Sequence, residues 1–327
     1  DGLSHDPGHA AHAPQGFRHY FDGMGNSKVR STKKEKRLVI IGGHEDRQGP
    51  VIQEVARYAA NGKLVVATVA SEESVKLFES YRRAFVGVDA EPPEHLSIDS
   101  REEALDPRKL EILRDATGVF FTGGDQLRIT SQIGDTPIEH RIREIYDAGG
   151  VIAGTSAGAS AMCGTMLVRG RSRDSQRPDN LRMAPGLGFI RGVIIDQHFA
   201  ERGRMARLLG AVALNPREFG IGIDEDTAII VKGDKEFLVI GSGAVYVIDG
   251  STVTQSNIAD DTEESPALSV YDFRLHILAR GDAFDLREQR PKAATAAEKK
   301  HLDKIEWHPE QDKADSSQRS RSGASQN

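Results

Sequence analysis

Five short apolar runs set the strongest limit on what this chain can fold into: RLVIIGG at 37 to 43, LVVATVA at 64 to 70, GVFFTGG at 118 to 124, GVIAGTS at 150 to 156 and GVIIDQH at 192 to 198. Runs this rich in β-branched residues, without polar alternation, suit strands covered on both faces. Between them, PVIQEVARYAANGK and TPIEHRIREIYDAGG carry apolar residues at helical spacing and end in glycine-containing turns. The pattern predicts βα units around a mainly parallel sheet, an α/β three-layer sandwich. From Phe219 to Leu286 the texture changes to FGIGIDEDTAIIVKGDKEFLVIGSGAVYVIDG and LSVYDFRLHILARGDAFDL. Short strands between turn residues predict C-terminal antiparallel hairpins that extend the same sheet.

These elements place one folded domain at 37–289. Residues 1–36 mix His, Gly, Pro, Ser and Lys without apolar periodicity, and 290–327 are polar and charged, so both read as flexible tails. A net charge of −6 argues against a nucleic-acid partner. Mean hydropathy is −0.45, and the longest apolar stretch, Gly149 to Val168, is broken by Gly, Ser and Thr, which argues against a membrane span. The single cysteine, Cys163, leaves no intramolecular disulfide framework, and its place behind the 150 to 156 run suits small apolar packing. Cytoplasmic residence is the default expectation; export is left open because the chain begins at Asp1 rather than Met.

The chemistry centres on Gly154-Thr155-Ser156-Ala157-Gly158, where an apolar strand gives way to the small-residue helix start AGASAMCGTML. That is the context of a nucleophile elbow: a sharp strand-to-helix turn that needs glycines for room and projects a serine hydroxyl at a helix N-terminus. A serine at neutral pH needs a base, and His198, at the end of GVIIDQH, is the candidate. Of the other histidines, His5, His9, His12, His19, His301 and His308 lie in the expected tails, and His44, His95, His140 and His276 lack such a setting. On its own, His198 reads equally well as a cap for the next helix. A third group must hold the imidazole in one tautomer. GIGIDEDTAIIV offers Asp224, Glu225 and Asp226, and spacing does not select among them. The backbone N–H of Ala157, following the nucleophile, is a natural oxyanion donor.

The set GTSAGASAM, DQHF (Asp196 to Phe199), GIDEDTA (Gly222 to Ala228) and FTGGDQ (Phe121 to Gln126), in this order over about 37 to 286, resembles the cyanophycinase family. The resemblance implies a flavodoxin-like fold related to class I glutamine amidotransferase domains and to aspartyl dipeptidase. It also implies a triad of Ser156, His198 and Glu225, in an order that differs from true α/β-hydrolases, where the acid precedes the histidine. A second oxyanion donor is expected from Gly123 and Gly124.

That family degrades cyanophycin, a poly-aspartate backbone with arginine on each side-chain carboxyl, so the resemblance implies this polymer as substrate and β-Asp-Arg dipeptide as product. It singles out Gln126, Asp196, Gln197, Arg202, Arg204 and Arg207 as the substrate pocket. Arginine forks suit carboxylates, and Asp196 is the expected acceptor for a substrate guanidinium, or else a helix cap. A second basic segment, with Arg169, Arg171, Arg173 and Arg177, reads as a solvated loop or as further carboxylate contacts. No metal site is expected: the N-terminal HDPGHAAHA can take up adventitious metal but offers no ordered cage. Neither a P-loop nor a dinucleotide fingerprint is present, and no cofactor is expected. Related enzymes suggest a homodimer. The rival readings are an aspartyl dipeptidase-like serine peptidase and a catalytically inert amidotransferase-like binding domain.

Overall fold

A computed structural model of the chain describes residues 35–60, 62–169, 181–233, 235–258 and 267–305. The first half alternates strand and helix: β1 (Arg37–Ile41), α1 (Pro50–Ala59), β2 (Lys63–Ala67), α2 (Ser74–Gly87), β3 (Glu94–Leu96), α3 (Pro107–Ile112), β4 (Ala116–Phe121), α4 (Gln126–Ile133), α5 (Pro137–Asp147), β5 (Val151–Thr155) and the short α6 (Ala157–Ala161). A two-stranded ribbon follows, β6 (Thr165–Arg169) with β7 (Arg182–Pro185), then β8 (Val193–Gln197), α7 (Met205–Leu214), β9 (Phe219–Ile223), β10 (Thr227–Lys232), β11 (Glu236–Gly241) and β12 (Val245–Asp249). The chain continues through a second ribbon, β13 (Gln255–Ser256) with β14 (Val270–Tyr271), to β15 (Arg274–Leu278), β16 (Asp282–Asp285), β17 (Arg290–Ala293) and α8 (Ala296–Leu302). Among the described residues, no helix is long and apolar enough to cross a membrane.

Among the described residues the main sheet has nine strands, in the order β17-β16-β11-β10-β1-β5-β4-β2-β3. From β1 to β3 the neighbours are parallel; from β1 to β17 they are antiparallel. The apolar run of β1 explains its central position. Leu38 and Ile40 join the core with Ile129 of α4 and Ile138 and Ile142 of α5, while Val39 and Ile41 face Val51, Ile52 and Val55 of α1 and Phe85 of α2. With all four wholly buried, each contributes roughly 1.5–3 kcal/mol, and only a strand covered on both sides can bury alternate residues in opposite directions.

Two expectations change. GVIIDQH does not join the main sheet. It forms β8 of a separate four-stranded sheet, β15-β12-β9-β8, in which β8 and β9 run parallel around α7. Only β10, β11, β16 and β17 extend the main sheet; β9, β12 and β15 belong to the second. The chain changes sheets within Asp224 to Asp226, where Asp226 adopts φ 49°. Strands apolar on both faces look alike in sequence whichever sheet they join, so periodicity did not reveal the division.

The folded region also extends past the expected boundary at 289. β17 pairs with β16, and α8 opens with a capping box between Thr295 and Glu298. Leu302 and Ile305 are buried in the core cluster that contains α1. Two apolar anchors among lysines, glutamates and alanines gave too little periodicity to mark a helix. The remaining expected tail residues, 1–34 and 306–327, lie outside the described residues.

Candidate active site

The end of β1 organises the site. Three consecutive carbonyls accept backbone N–H groups from three different segments: Ile41 from Ser156 at 3.1 Å, Gly42 from His198 at 2.8 Å and Gly43 from Asp226 at 2.8 Å. Such close approach explains the two glycines. At Gly43, φ is +108° and a Cβ would meet the His198 ring at 2.4 Å; at Gly42 it would fall 1.9 Å from the Asp224 carbonyl oxygen.

Ser156 follows β5 with φ 53° and ψ −112°, a strained conformation for a residue with a side chain, as an elbow requires. Its Oγ lies 2.9 Å from Nε2 of His198, whose Nδ1 lies 2.6 Å from Oε1 of Glu225. With the proton on Nδ1 donated to the carboxylate, Nε2 presents its lone pair to the serine hydroxyl. Burial pushes the His198 pKa below its usual value. The hydrogen bond to Glu225 opposes that shift, and Arg202 and His44 add to it, so the neutral, proton-accepting form prevails at neutral pH.

The geometry separates the three acids. Asp224 is buried and accepts backbone N–H groups from Ala200 (2.9 Å) and Ala244 (3.1 Å). Asp226 accepts from the Asp46 N–H (2.9 Å) and the Ser242 hydroxyl (2.8 Å). Both staple loops; Glu225 alone faces His198.

Gly123 lies against Ser156, since a Cβ there would stand 3.3 Å from Ser156 Cβ. At Gly124, φ +143° and the Ala70 carbonyl oxygen 2.1 Å from a would-be Cβ admit no side chain. Ala157 opens α6 directly after Ser156.

The expected substrate residues divide. Asp196, read from sequence as an open acceptor for guanidinium, is wholly buried and already accepts from Arg204 Nη1 (3.1 Å) and from Arg207 through Nε (2.7 Å) and Nη2. It also takes the Gln197 N–H at 3.0 Å. Two arginines eight and eleven residues along the chain reach back over the start of α7 to satisfy it, so this carboxylate braces the turn that presents His198. Burial, against the pull of Asp196 and with repulsion from Arg207 and Arg202, brings the Arg204 pKa down to about 10. Arg202 is exposed. Gln126 donates from Nε2 to the carbonyls of Leu167 (3.1 Å) and Val168 (3.3 Å), holding β6. Gln197 is buried, and its Oε1 has no hydrogen-bond partner among the described residues. Arg171, Arg173 and Arg177 lie outside the described residues.

Two residues of the site escaped sequence reasoning. Glu45 is buried behind the elbow, where Oε2 accepts the Thr155 hydroxyl (2.6 Å) and Oε1 accepts the Tyr81 hydroxyl (2.6 Å) and Arg47. His44 stands on the exposed side, its ring edge-on to His198 with centroids 5.1 Å apart and Nδ1 3.8 Å from Glu225 Oε2. The signal was present: in IIGGHE both residues follow a glycine pair at the end of the central strand. A cavity of about 830 Å³ between α1 and α2 has Asp46 and Asp226 in its lining but not Ser156.

An elbow serine, a buried imidazole and a carboxylate joined in series on an α/β sandwich define a hydrolase of the serine peptidase class. Comparison with protein families matches residues 38–239 to peptidase family S51. The cyanophycinase of Geminocystis herdmanii is 37% identical over 261 residues, covering 78% of this chain and 96% of that one; the cyanophycinase of Synechococcus elongatus is 33% identical over 255 residues, covering 76% and 79%. The crystal structure of a peptidase from an acI-B1 Actinobacterium shares the fold, with a TM-score of 0.59 at 23% identity over 78% of this chain and 98% of that one. The chain belongs to peptidase family S51, alongside the cyanophycinases.

Proposed function

We propose that the chain hydrolyses cyanophycin, with Ser156 as nucleophile, His198 as general base and Glu225 as the carboxylate that orients it. The observation that carries this reading is the unbroken series Ser156 Oγ, His198, Glu225, with contacts of 2.9 and 2.6 Å. Ser156 attacks a backbone carbonyl of the poly-aspartate chain as His198 Nε2 takes its proton. The N–H groups of Ala157 and of the Gly123-Gly124 turn receive the developing oxyanion. His198 returns the proton to the leaving amine, and water, deprotonated by the same imidazole, releases the acyl group as β-Asp-Arg dipeptide. These side chains carry every proton transfer, so the route as drawn calls for no cofactor.

Arg202, exposed beside His198, suits a substrate carboxylate. Gln126, Asp196, Arg204 and Arg207 hold the walls in place. We read residues 37–305 as the catalytic domain and the chain as a cytoplasmic homodimer. The single buried cysteine suits a reducing compartment. β15 ends the second sheet with Leu275 and Ile277 exposed, a natural face for a second copy.

A second reading, a dipeptidase for ordinary aspartyl dipeptides, draws on 26% identity over 182 residues to the Peptidase E of Shewanella amazonensis. Assaying the purified protein on cyanophycin and on an aspartyl dipeptide separates the two: release of β-Asp-Arg supports the first, and cleavage of the dipeptide alone overturns it. An inert binding domain is excluded by stoichiometric labelling of Ser156 with a serine-directed phosphonate.

A further inference from the structure

The Ser156, His198, Glu225 series has a fourth member on its solvent side. His44 takes φ 47° directly after the Gly42-Gly43 pair, and its side chain is 60% exposed beside a His198 side chain that is only 3% exposed. One donor atom each from His44, His198 and Glu225 lies within 4.8 Å of the others. Two imidazoles and one carboxylate are the protein ligands of an open zinc site, which leaves its fourth position to water. With metal–ligand bonds of about 2.0–2.2 Å, neighbouring donors in a tetrahedral site stand roughly 3.3–3.6 Å apart. His44 Nδ1 and Glu225 Oε2, at 3.8 Å, need to close by only a few tenths of an ångström. His198 Nδ1 and Glu225 Oε1, at 2.6 Å, share a proton where the metal would sit, so the carboxylate must swing outward.

We propose that His44, His198 and Glu225 form an inhibitory zinc site that competes with the catalytic arrangement for one imidazole nitrogen. Zn²⁺ enters from the exposed His44 side and bonds to Nδ1 of His198 in place of its proton, which moves through solvent to Nε2. The ring stays neutral, but Nε2 now carries a hydrogen facing Ser156 Oγ. A nitrogen already protonated cannot accept the serine's proton, so the base is lost while every residue remains in place. Ca²⁺ and Mg²⁺, which require oxygen-rich shells, do not satisfy this nitrogen-bearing set. The effect on reactivity rests on the proposed roles of Ser156 and His198; zinc binding itself does not.

The experiment has two arms. In the first, the rate at which a serine-directed phosphonate labels Ser156 is followed against free Zn²⁺ for the wild-type chain, His44→Ala and His44→Gln. Wild-type labelling should slow with zinc and recover with EDTA, both variants should need at least tenfold more zinc, and equimolar Mg²⁺ should have no effect. In the second, equilibrium dialysis of zinc against Ser156→Ala and Ser156→Ala/His44→Ala counts bound metal without any chemistry, and the double variant should hold one equivalent fewer. The paired comparison cancels zinc taken up by the N-terminal histidines, which both proteins share. Equal stoichiometry in the second arm, equal zinc sensitivity across the three proteins, or slowing by Mg²⁺ overturns the site. A chain that never labels but still loses one zinc equivalent with His44 keeps the metal site and overturns the reading of Ser156.

Discussion

Behind each half of the active site stands a buried carboxylate, and the two are built differently. Glu45, behind the elbow, pairs with nearby Arg47 but also reaches distant parts of the chain, Tyr81 in α2 and Thr155 at the end of β5. Asp196, behind the histidine, is satisfied within eleven residues, by Arg204, Arg207 and the N–H of Gln197. Each ends beside a residue with a proposed catalytic role, since Thr155 precedes Ser156 and Gln197 precedes His198. The serine is thereby tied to the tertiary core, while the histidine is carried on a locally braced βα turn. Loss of the first brace should register in unfolding alone; loss of the second should cost stability and, because it also shifts the turn that carries His198, turnover.

The largest effects are expected at the proposed nucleophile and at the carboxylate proposed to orient the base. Ser156→Ala should lower turnover of cyanophycin by about 10⁴-fold or more with the melting temperature nearly unchanged, since one small hydroxyl is removed. A residual rate within about tenfold of wild type would remove Ser156 from the mechanism. Glu225→Gln keeps the shape but loses the charge that supports an imidazolium, and should lower kcat by about 10²–10⁴-fold with a modest change in KM. Asp224→Asn should cost melting temperature rather than chemistry, because its carboxylate staples Ala200 and Ala244. If the aspartate variant proves the inactive one, the acid has been misassigned.

Asp196→Asn leaves two buried guanidinium groups with a neutral partner, a loss of about 3–5 kcal/mol. Denaturant unfolding should show it together with a fall in kcat, as the turn before His198 relaxes. Glu45→Gln keeps its size and one acceptor, and should cost about 1–3 kcal/mol. Its effect should fall on unfolding and leave kcat nearly unchanged; a larger loss of kcat in Glu45→Gln than in Asp196→Asn would break the contrast between the braces.

The smallest expected effect lies far from both. Although burial alone would raise it, Lys232 and Thr295 hold the Glu298 carboxyl at about 2, against 4.5 when unpaired. Glu54 is likewise lowered despite its burial, by Arg57 and His301. A depressed carboxyl contributes its stability above the unfolded pKa, so α8 should loosen as pH falls from about 4.5 toward 2. Amide exchange in 296–302 should report this, and Glu298→Gln should remove most of the pH dependence. Cutting the chain at 290 should lower the melting temperature by several degrees, whereas cutting after 305 spares Leu302 and Ile305.

How much of this was legible in the sequence follows from how far each partner lies along the chain. The parallel strands and the elbow were readable, because an apolar run and a glycine-framed serine are local patterns. The selection of Glu225 over its two neighbours came from the family pattern, and the reason appears only with the loops that Asp224 and Asp226 staple. Glu45 went unread because its meaning depends on a threonine and a tyrosine in other elements. Asp196 was read as an acceptor for a substrate guanidinium, or else a helix cap, because the family resemblance put it in the pocket and a carboxylate is guanidinium's natural bidentate partner; folding supplies the guanidinium groups from Arg204 and Arg207 of the same chain. The second sheet stayed hidden because β8 and β10 are equally apolar.

The three carbonyls at the end of β1 also decide when, during folding, the enzyme comes into being. Each closes a loop of more than a hundred residues, to Ser156, His198 or Asp226. Contacts between positions so far apart form late, since chain entropy opposes them until the surrounding core has consolidated. A chain still emerging from the ribosome short of residue 226 has no finished site, and one recovering from denaturant should regain its helices before its hydrolytic power. Until the last of these three backbone contacts closes, Ser156, His198 and Glu225 are not yet held together.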